Sequence, residues 1–350
     1  MIRDAIKKNV AGEELTENES ISAMHELMAG EATSAQISAF LVSLRMKGES
    51  TNEIVALAKT MKKFSNQITP KTNGPIIDIV GTGGDKIKTV NFSTISAFVV
   101  AANDLIVAKH GNRAASGKCG SADVLEKLGY KLDTSPEKVK ESIENTKIGF
   151  MFAPIFHPAM KNVIGPRKEI AIRTVFNILG PLTNPASADS MVVGVAEYEL
   201  LKQYKEILSK LGCKKAIIVH GEKGLDEITT VGDTHVESIG LEFPRKINSE
   251  SMGLKESSSD DIKGEGIETN AKIMYQVLAG KLPNNNPIVQ SVAANAGAGL
   301  LVGEKVDSIK EGIAIATETI ENGKALNKLI ELIKFVNGDT KVIEEFETKL

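Results

Sequence analysis

Two apolar runs that end abruptly in glycine-laced loops constrain this chain most. Ile76-Ile77-Asp78-Ile79-Val80 leads straight into Gly81-Thr82-Gly83-Gly84-Asp85, and Leu105-Ile106-Val107-Ala108 into Lys109-His110-Gly111-Asn112-Arg113-Ala114-Ala115-Ser116. Each loop sits where a buried strand would end. In an open α/β sheet ligands bind at that edge, and glycines there let backbone N–H groups turn toward an anion. Lys109 and Arg113 add fixed cations. A polyphosphate is the expected guest.

The rest of the chain fits that frame. Up to about residue 64 the apolar spacing is helical, with capping boxes at Thr16/Glu19, Thr33/Gln36 and Ser50/Glu53 and stops at Gly30 and Gly48. So small a bundle must also pack on the main domain or on a second subunit. The polar stretch Ser65 to Pro75 reads as a linker. Beyond it, short β-branched runs at 76–80, 105–108, 148–153, 191–195 and 216–220 alternate with helical patterns at 93–102, 121–128, 136–146, 199–211, 269–279, 286–302, 308–321 and 324–337. That alternation predicts parallel βαβ units. The fold class expected is therefore α/β: a small helical domain over 1–68, and a larger α/β domain over 75–350 with a mostly parallel central sheet. The helical excursion at about 162–186 is expected to complete the helical domain, and Ser249 to Gly266 to be a solvated loop.

Bulk properties narrow the function. With 350 residues, of which 42% are hydrophobic, the chain can build about two cored domains. Its formal net charge of -3 argues against a general nucleic-acid or membrane surface, so phosphate binding has to be local. Two cysteines, Cys119 and Cys213, are too few for a disulfide framework, and the N-terminus lacks an apolar signal core. A soluble, cytoplasmic protein is expected. Cys119 reads as a small packing residue, since thiolate activation needs a neighbouring base.

Gly-Thr-Gly-Gly-Asp is neither a Walker loop nor the Gly-x-Gly-x-x-Gly fingerprint. It is followed by Thr89, Asn91, Ser93 and Thr94 at the start of a helix, where hydroxyls either bind phosphate beside the helix N-terminus or cap the helix. Asp226-Glu227, after a third glycine loop, is either an ordinary surface pair or, beside two phosphate loops, a ligand pair for Mg²⁺. Arg167 in Gly165-Pro166-Arg167-Lys168 suits a flat carboxylate ligand, or equally a surface salt bridge. His110 and His157 have no evident carboxylate partner, which favours binding and shaping over acid–base work.

With these residues in view, the chain resembles the anthranilate phosphoribosyltransferase family through GTGGD, VNFST, KHGNRAAS, CGSADVLE, PIFHPAM, GPRKEI, FNILGPLTNP and HGEKGLDEIT, over nearly its whole length. The resemblance implies the nucleoside phosphorylase/phosphoribosyltransferase type of fold, a homodimer joined through the helical domain, and active sites in the interdomain cleft. It implies transfer of phosphoribosyl from phosphoribosyl pyrophosphate (PRPP) to the anthranilate amine, with Mg²⁺, in tryptophan biosynthesis. For PRPP it implies Gly81, Gly84, Asp85, Thr89, Asn91, Phe92, Ser93, Thr94, Lys109, His110, Gly111, Asn112, Arg113, Ala114, Ala115, Ser116, Gly117 and Ser121. For anthranilate it implies Asn112 and Arg167, with Gly81, His110, Pro154, His157, Met160 and Gly180 along its path. Ser93, Asp226 and Glu227 would hold the metal, while Lys109, Asp226 and Glu227 act electrostatically with no general base. Gly117 departs from the family, whose members often carry serine there. A pyrimidine-nucleoside phosphorylase is the nearest rival, but its second loop follows a Lys-x-Ser-Gly-Arg pattern, unlike Lys109-His110-Gly111-Asn112-Arg113. Closure about residues 65–75 is expected to exclude water from the activated sugar.

Overall fold

A computed structural model describes residues 1–85, 87–114 and 119–349. It opens with four helices, α1 (Ile2–Val10), α2 (Glu17–Ala29), α3 (Ser34–Lys47) and α4 (Thr51–Lys63). The capping boxes expected at Thr16, Thr33 and Ser50 all form, and each hydroxyl accepts a backbone N–H three residues on. Gly30 ends α2 at φ +75°, a left-handed backbone that a residue with a Cβ adopts only under strain.

Strands and helices then alternate: β1 (Ile76–Gly81), α5 (Phe92–Ala101), β2 (Ile106–Gly111), α6 (Ser121–Lys127), α7 (Pro136–Thr146), β3 (Ile148–Phe152), α8 (Ala153–Phe156), α9 (Lys161–Ile170), α10 (Val175–Leu179), β4 (Ser190–Gly194), α11 (Leu200–Lys210) and β5 (Lys215–Gly221). Two further strands, β6 (Thr234–Ile239) and β7 (Lys246–Ile247), precede α12 (Ser249–Met252), α13 (Gly266–Leu278), α14 (Pro287–Val302), α15 (Ile309–Glu321), α16 (Lys324–Phe335) and α17 (Lys341–Lys349). Among the described residues the sheet order is β3-β2-β1-β4-β5-β6-β7, parallel from β3 through β5 and antiparallel at β6 and β7. The chain moves outward from β1 to β3 on one side, then returns to place β4 on the other. The switch point lies between β1 and β4, and a crevice opens beyond their carboxyl ends.

Side-chain alternation shows why both faces are covered. Val192, Ile217 and Val219 join the core under α5, α13 and α14, whereas Met191, Val193, Ala216 and Ile218 join a second core with α1 to α4 and α11. Each such buried Val, Ile or Met side chain contributes roughly 1.5–3 kcal/mol. Val163 of α9 and Val175, Phe176 and Leu179 of α10 lie in that second core with Met24, Phe40 and Leu57 of the bundle.

Two sequence expectations need correction. Residues 249–266 are not merely a solvated loop: Met252 and Ile262 are buried in the core, the Ile262 carbonyl accepts the Val90 N–H at 3.1 Å, and Lys88 and Thr89 pair with 263–264. The 65–75 stretch is not a free linker either. Its Asn66 N–H donates to the Phe156 carbonyl at 2.8 Å, the Ile68 N–H to Pro185 at 3.1 Å, and the Lys71 N–H to the Glu144 carboxylate at 2.7 Å. The segment is therefore tied at three points to residues 144–185.

Candidate active site

The crevice beyond β1, β2 and β5 holds a cavity of about 390 Å³. Its wall brings together Gly81, Gly84, Asp85, Thr89, Asn91, Ser93, Thr94, Lys109, His110, Gly111, Asn112, Arg113, Ala114, Ser121, Asp226 and Glu227, residues from three separate glycine loops. Ala115, Ser116 and Gly117 lie outside the described residues, as does Lys118. Phe92 is a correction: its side chain is fully buried in the sheet core and does not line the cavity.

The end of β1 is shaped by what crosses it. A Cβ on Gly81 would lie 2.4 Å from Asp226 Oδ2, and one on Gly194 only 1.6 Å from the Asp226 carbonyl. Glycine at both strand ends therefore lets the Asp226-Glu227 loop cover the switch point. Gly83 N–H donates to Asp226 Oδ2 at 2.7 Å, and the Asp85 carboxylate accepts both the backbone N–H and the hydroxyl of Thr89 at 3.0 Å. At the start of α5, Asn91 occupies the cap position with no side-chain cap bond, and the buried Thr94 hydroxyl has no partner among the described residues. Helix capping thus does not account for these polar side chains. Ser93 N–H donates to Glu227 Oε1 at 3.2 Å, leaving its hydroxyl close to Lys109 Nζ at 3.4 Å.

The charges are buried and poorly compensated. Lys109 is 3% exposed, donates to the Ile79 carbonyl at 2.7 Å, and has its pKa lowered by burial against the pull of Asp78 and Glu227. Burial, with Asp85 nearby, pushes Asp226 up to about 6. Burial and then the Asp226 charge raise Glu227 well above the usual carboxylate range. A divalent cation would relieve that strain. Among the described residues no three His, Cys, Asp or Glu side chains form a complete cage. The oxygen-only donor set therefore fits Mg²⁺ completed by substrate phosphates.

Arg113 behaves differently from expectation. It lines the cavity, but its guanidinium pairs with Glu126 through two bonds of 2.7 and 2.9 Å and with Asp123 at 2.8 Å, so its charge braces the loop onto α6. Asp123 completes the brace by accepting the Ala114 and Gly120 N–H groups. Cys119 faces the cavity as a thiol, its pKa pushed up to about 12 by burial.

The residues expected along the anthranilate path are only partly in this wall. Gly81, His110 and Asn112 line it, while Pro154, His157, Met160, Arg167 and Gly180 do not. The His110 and His157 rings lie 5.0 Å apart, and His110 Nε2 and both His157 ring nitrogens are buried without partners among the described residues. Burial and the His157 ring hold His110 down at about 3, with the Gly180 backbone pulling the other way, and burial holds His157 at about 4. Both are neutral at physiological pH. Arg167 lies over the Phe176 ring at 5.0 Å and makes no ion pair among the described residues; burial lowers its pKa. Sequence reasoning missed Lys88, Arg173, Asn177, Gly264 and Asn270, which also line the cavity; Lys88 and Asn177 stand in or beside family motifs, whereas Arg173, Gly264 and Asn270 come from segments with no glycine-loop signal.

Comparison with known proteins gives this geometry a setting. The glycosyl transferase family helical bundle domain matches residues 3–65, and the glycosyl transferase family a/b domain matches residues 73–326. An anthranilate phosphoribosyltransferase of Dehalococcoides mccartyi is 48% identical, with 95% of this chain and 98% of that protein covered. One from Acetivibrio thermocellus is 45% identical, covering 97% of each. The crystal structure of the Thermus thermophilus anthranilate phosphoribosyltransferase superposes with a TM-score of 0.90 at 43% identity, covering 95% of this chain and 99% of that one. The Saccharomyces cerevisiae enzyme in complex with PRPP and Mg has a TM-score of 0.88 at 28% identity, covering 96% and 98%.

Proposed function

We infer the function from one premise, that the chain belongs to the anthranilate phosphoribosyltransferase family. It is an enzyme that transfers the phosphoribosyl group of PRPP to the amine of anthranilate, giving N-(5-phosphoribosyl)anthranilate and pyrophosphate on the way from chorismate to tryptophan. The observation that carries this assignment is the convergence of three glycine loops and two buried carboxylates on one cavity at the switch point.

The amine nitrogen forms a bond to ribose C1 as the C1–oxygen bond to pyrophosphate breaks, and the nitrogen then releases a proton. An aromatic amine carries its lone pair free near neutral pH, so the site needs no strong base. His110 and His157, both held neutral, shape the path of the ring. Arg167, over the Phe176 ring and without an ion-pair partner among the described residues, binds the anthranilate carboxylate, and Asn112 on the cavity wall holds the same substrate. The glycine-loop N–H groups, Asn91, Ser93, Thr94 and Lys109 receive the diphosphate, and Lys109 stabilises the charge growing on it. Asp226, Glu227 and the Ser93 hydroxyl hold Mg²⁺, which when bound neutralises the leaving diphosphate. Lys109 and Asp226 are buried, so the charges that meet the diphosphate act with little solvent screening.

Three structural expectations belong to the same proposal. The helical domain comprises residues 1–68 completed by 162–186, on the strength of the shared core between α9, α10 and the bundle. The enzyme is a homodimer joined through that domain, supported by the exposed Val10 and Met46 on α1 and α3. Cytoplasmic residence agrees with the absence, among the described residues, of any helix long and apolar enough to cross a membrane. The decisive experiment mixes the protein with anthranilate, PRPP and Mg²⁺ and follows anthranilate fluorescence, which a chain without Trp does not obscure. Loss of the signal only when PRPP and Mg²⁺ are both present is expected, and unchanged fluorescence refutes the assignment.

A further inference from the structure

The cavity contains a guanidinium that neither glycine loop supplies. Arg173 lies between α9 and α10, helices that pack on α2, α3 and α4, so it reaches the cavity from the helical side of the cleft. Its Nη1 donates to the Gly83 carbonyl at 3.1 Å. Its Nε lies 3.7 Å from Glu197 Oε1, and the other Glu197 oxygen lies 3.8 Å from Arg45 of α3. Gly83 is therefore gripped on both sides of its residue, the N–H by Asp226 at 2.7 Å and the carbonyl by Arg173. A Cβ on Gly84 would lie 1.6 Å from Arg173 Nη1, so the loop is built around the guanidinium. Arg113, by contrast, spends its charge on Asp123 and Glu126.

We propose that Arg173 is a positioning residue for the diphosphate end of PRPP: aimed by Glu197, it fixes the Gly83 carbonyl from the helical side and thereby sets the glycine-loop N–H groups that meet the phosphates. The assignment rests on the transferase activity inferred above. A guanidinium suits the task because its fork serves a carbonyl and a carboxylate at once, which a single ammonium does less well. The charge also bears on Asp226, whose ionised form it favours. An ion pair in which the two side chains are 35% and 38% exposed adds little to stability, so this role is separable from a structural one.

Wild type, Arg173→Ala, Arg173→Lys and Glu197→Gln are compared in steady-state kinetics, in calorimetric binding of PRPP with Mg²⁺ without anthranilate, and in amide hydrogen exchange of the ligand-free proteins. Arg173→Ala should raise the KM for PRPP about tenfold while the anthranilate KM stays within about twofold and the unfolding temperature is unchanged. Arg173→Lys should recover part of the loss. Glu197→Gln, remote from the phosphates, should shift the PRPP KM the same way by about twofold to threefold. Exchange at residues 81–85 should quicken in Arg173→Ala with β5 unaffected. The proposal is overturned if both KM values rise together, if PRPP binding is unaltered, or if loop exchange does not change. Should Arg173→Ala fail to fold, the Lys and Glu197 variants decide the question by the same readouts. A wild type that binds PRPP yet leaves anthranilate unconsumed would refute the activity, while the exchange and calorimetric results would still decide the role of Arg173.

Discussion

Arg167 and Asp226 carry opposite charges to different parts of the reaction, so substituting each should disturb a different reactant. Arg167→Ala removes a half-buried guanidinium with no ion-pair partner among the described residues, and is expected to raise the anthranilate KM about tenfold with the PRPP KM little changed. Asp226→Asn should instead move the Mg²⁺ dependence of turnover to higher concentration. Initial rates with each component varied in turn would show the split, and equal effects on all three would refute it. The histidine pair gives a pH signature. Because His157 is held at about 4 in the fold against about 6.5 in an unfolded chain, the unfolded state binds the extra proton first as pH falls. Its stabilising contribution is present in full above about pH 6.5 and is lost as pH drops toward 4, up to about 3 kcal/mol in all. The buried carboxylates titrate with the opposite sign in part of that window, so the comparison has to be with His157→Gln, whose denaturation free energy should fall less steeply between pH 7 and pH 5. Parallel curves would contradict the buried neutral histidine. At this scale the glycine loops, Asp226-Glu227 and Lys109 were legible because their chemistry is local in sequence. Arg173 was not, since it falls between two motifs and in neither, and it meets Gly83 only across 90 residues of chain.

Helix ends and strand ends follow from contacts that can be perturbed singly. Gly194 closes β4 against the Asp226 backbone, and Gly194→Ala should force that loop away, destabilising by roughly 1–3 kcal/mol and weakening the Mg²⁺ response together. Gly297→Ala tests packing without chemistry: its Cβ would lie 2.8 Å from the Ile313 N of α15, so α14 and α15 should part at a similar cost with both KM values preserved. Thermal unfolding and the two KM values distinguish these cases. Helices were readable here because caps and stripes are written locally, as α7 shows, matching its expected 136–146 span. Strands β6 and β7 were not, because β6 is only half-buried and β7 is a two-residue edge strand, and their antiparallel places are set by pairing with β5 and β6 respectively. Burial of Ile262 was hidden for a related reason: one apolar residue in a polar stretch carries no period.

Across the whole molecule, one continuous core joins the helical bundle to a sheet face, so the bundle is seated on the sheet and not hung from a linker. Val10, 75% exposed, and Met46, 83% exposed, remain outside that core on packed neighbours α1 and α3. Replacing both with Glu should turn a dimer into a monomer in equilibrium sedimentation while leaving each chain folded. A mass unchanged from wild type would refute the helical interface. The Asp226 carboxylate on the Gly83 amide has a consequence for discrimination. An unaccompanied inorganic anion reaching this loop finds the amide taken and a like charge standing over it. A diphosphate that arrives chelated brings a cation that attracts this carboxylate instead of repelling it, so the bare anion and the metal-bound substrate meet the loop on different electrostatic terms.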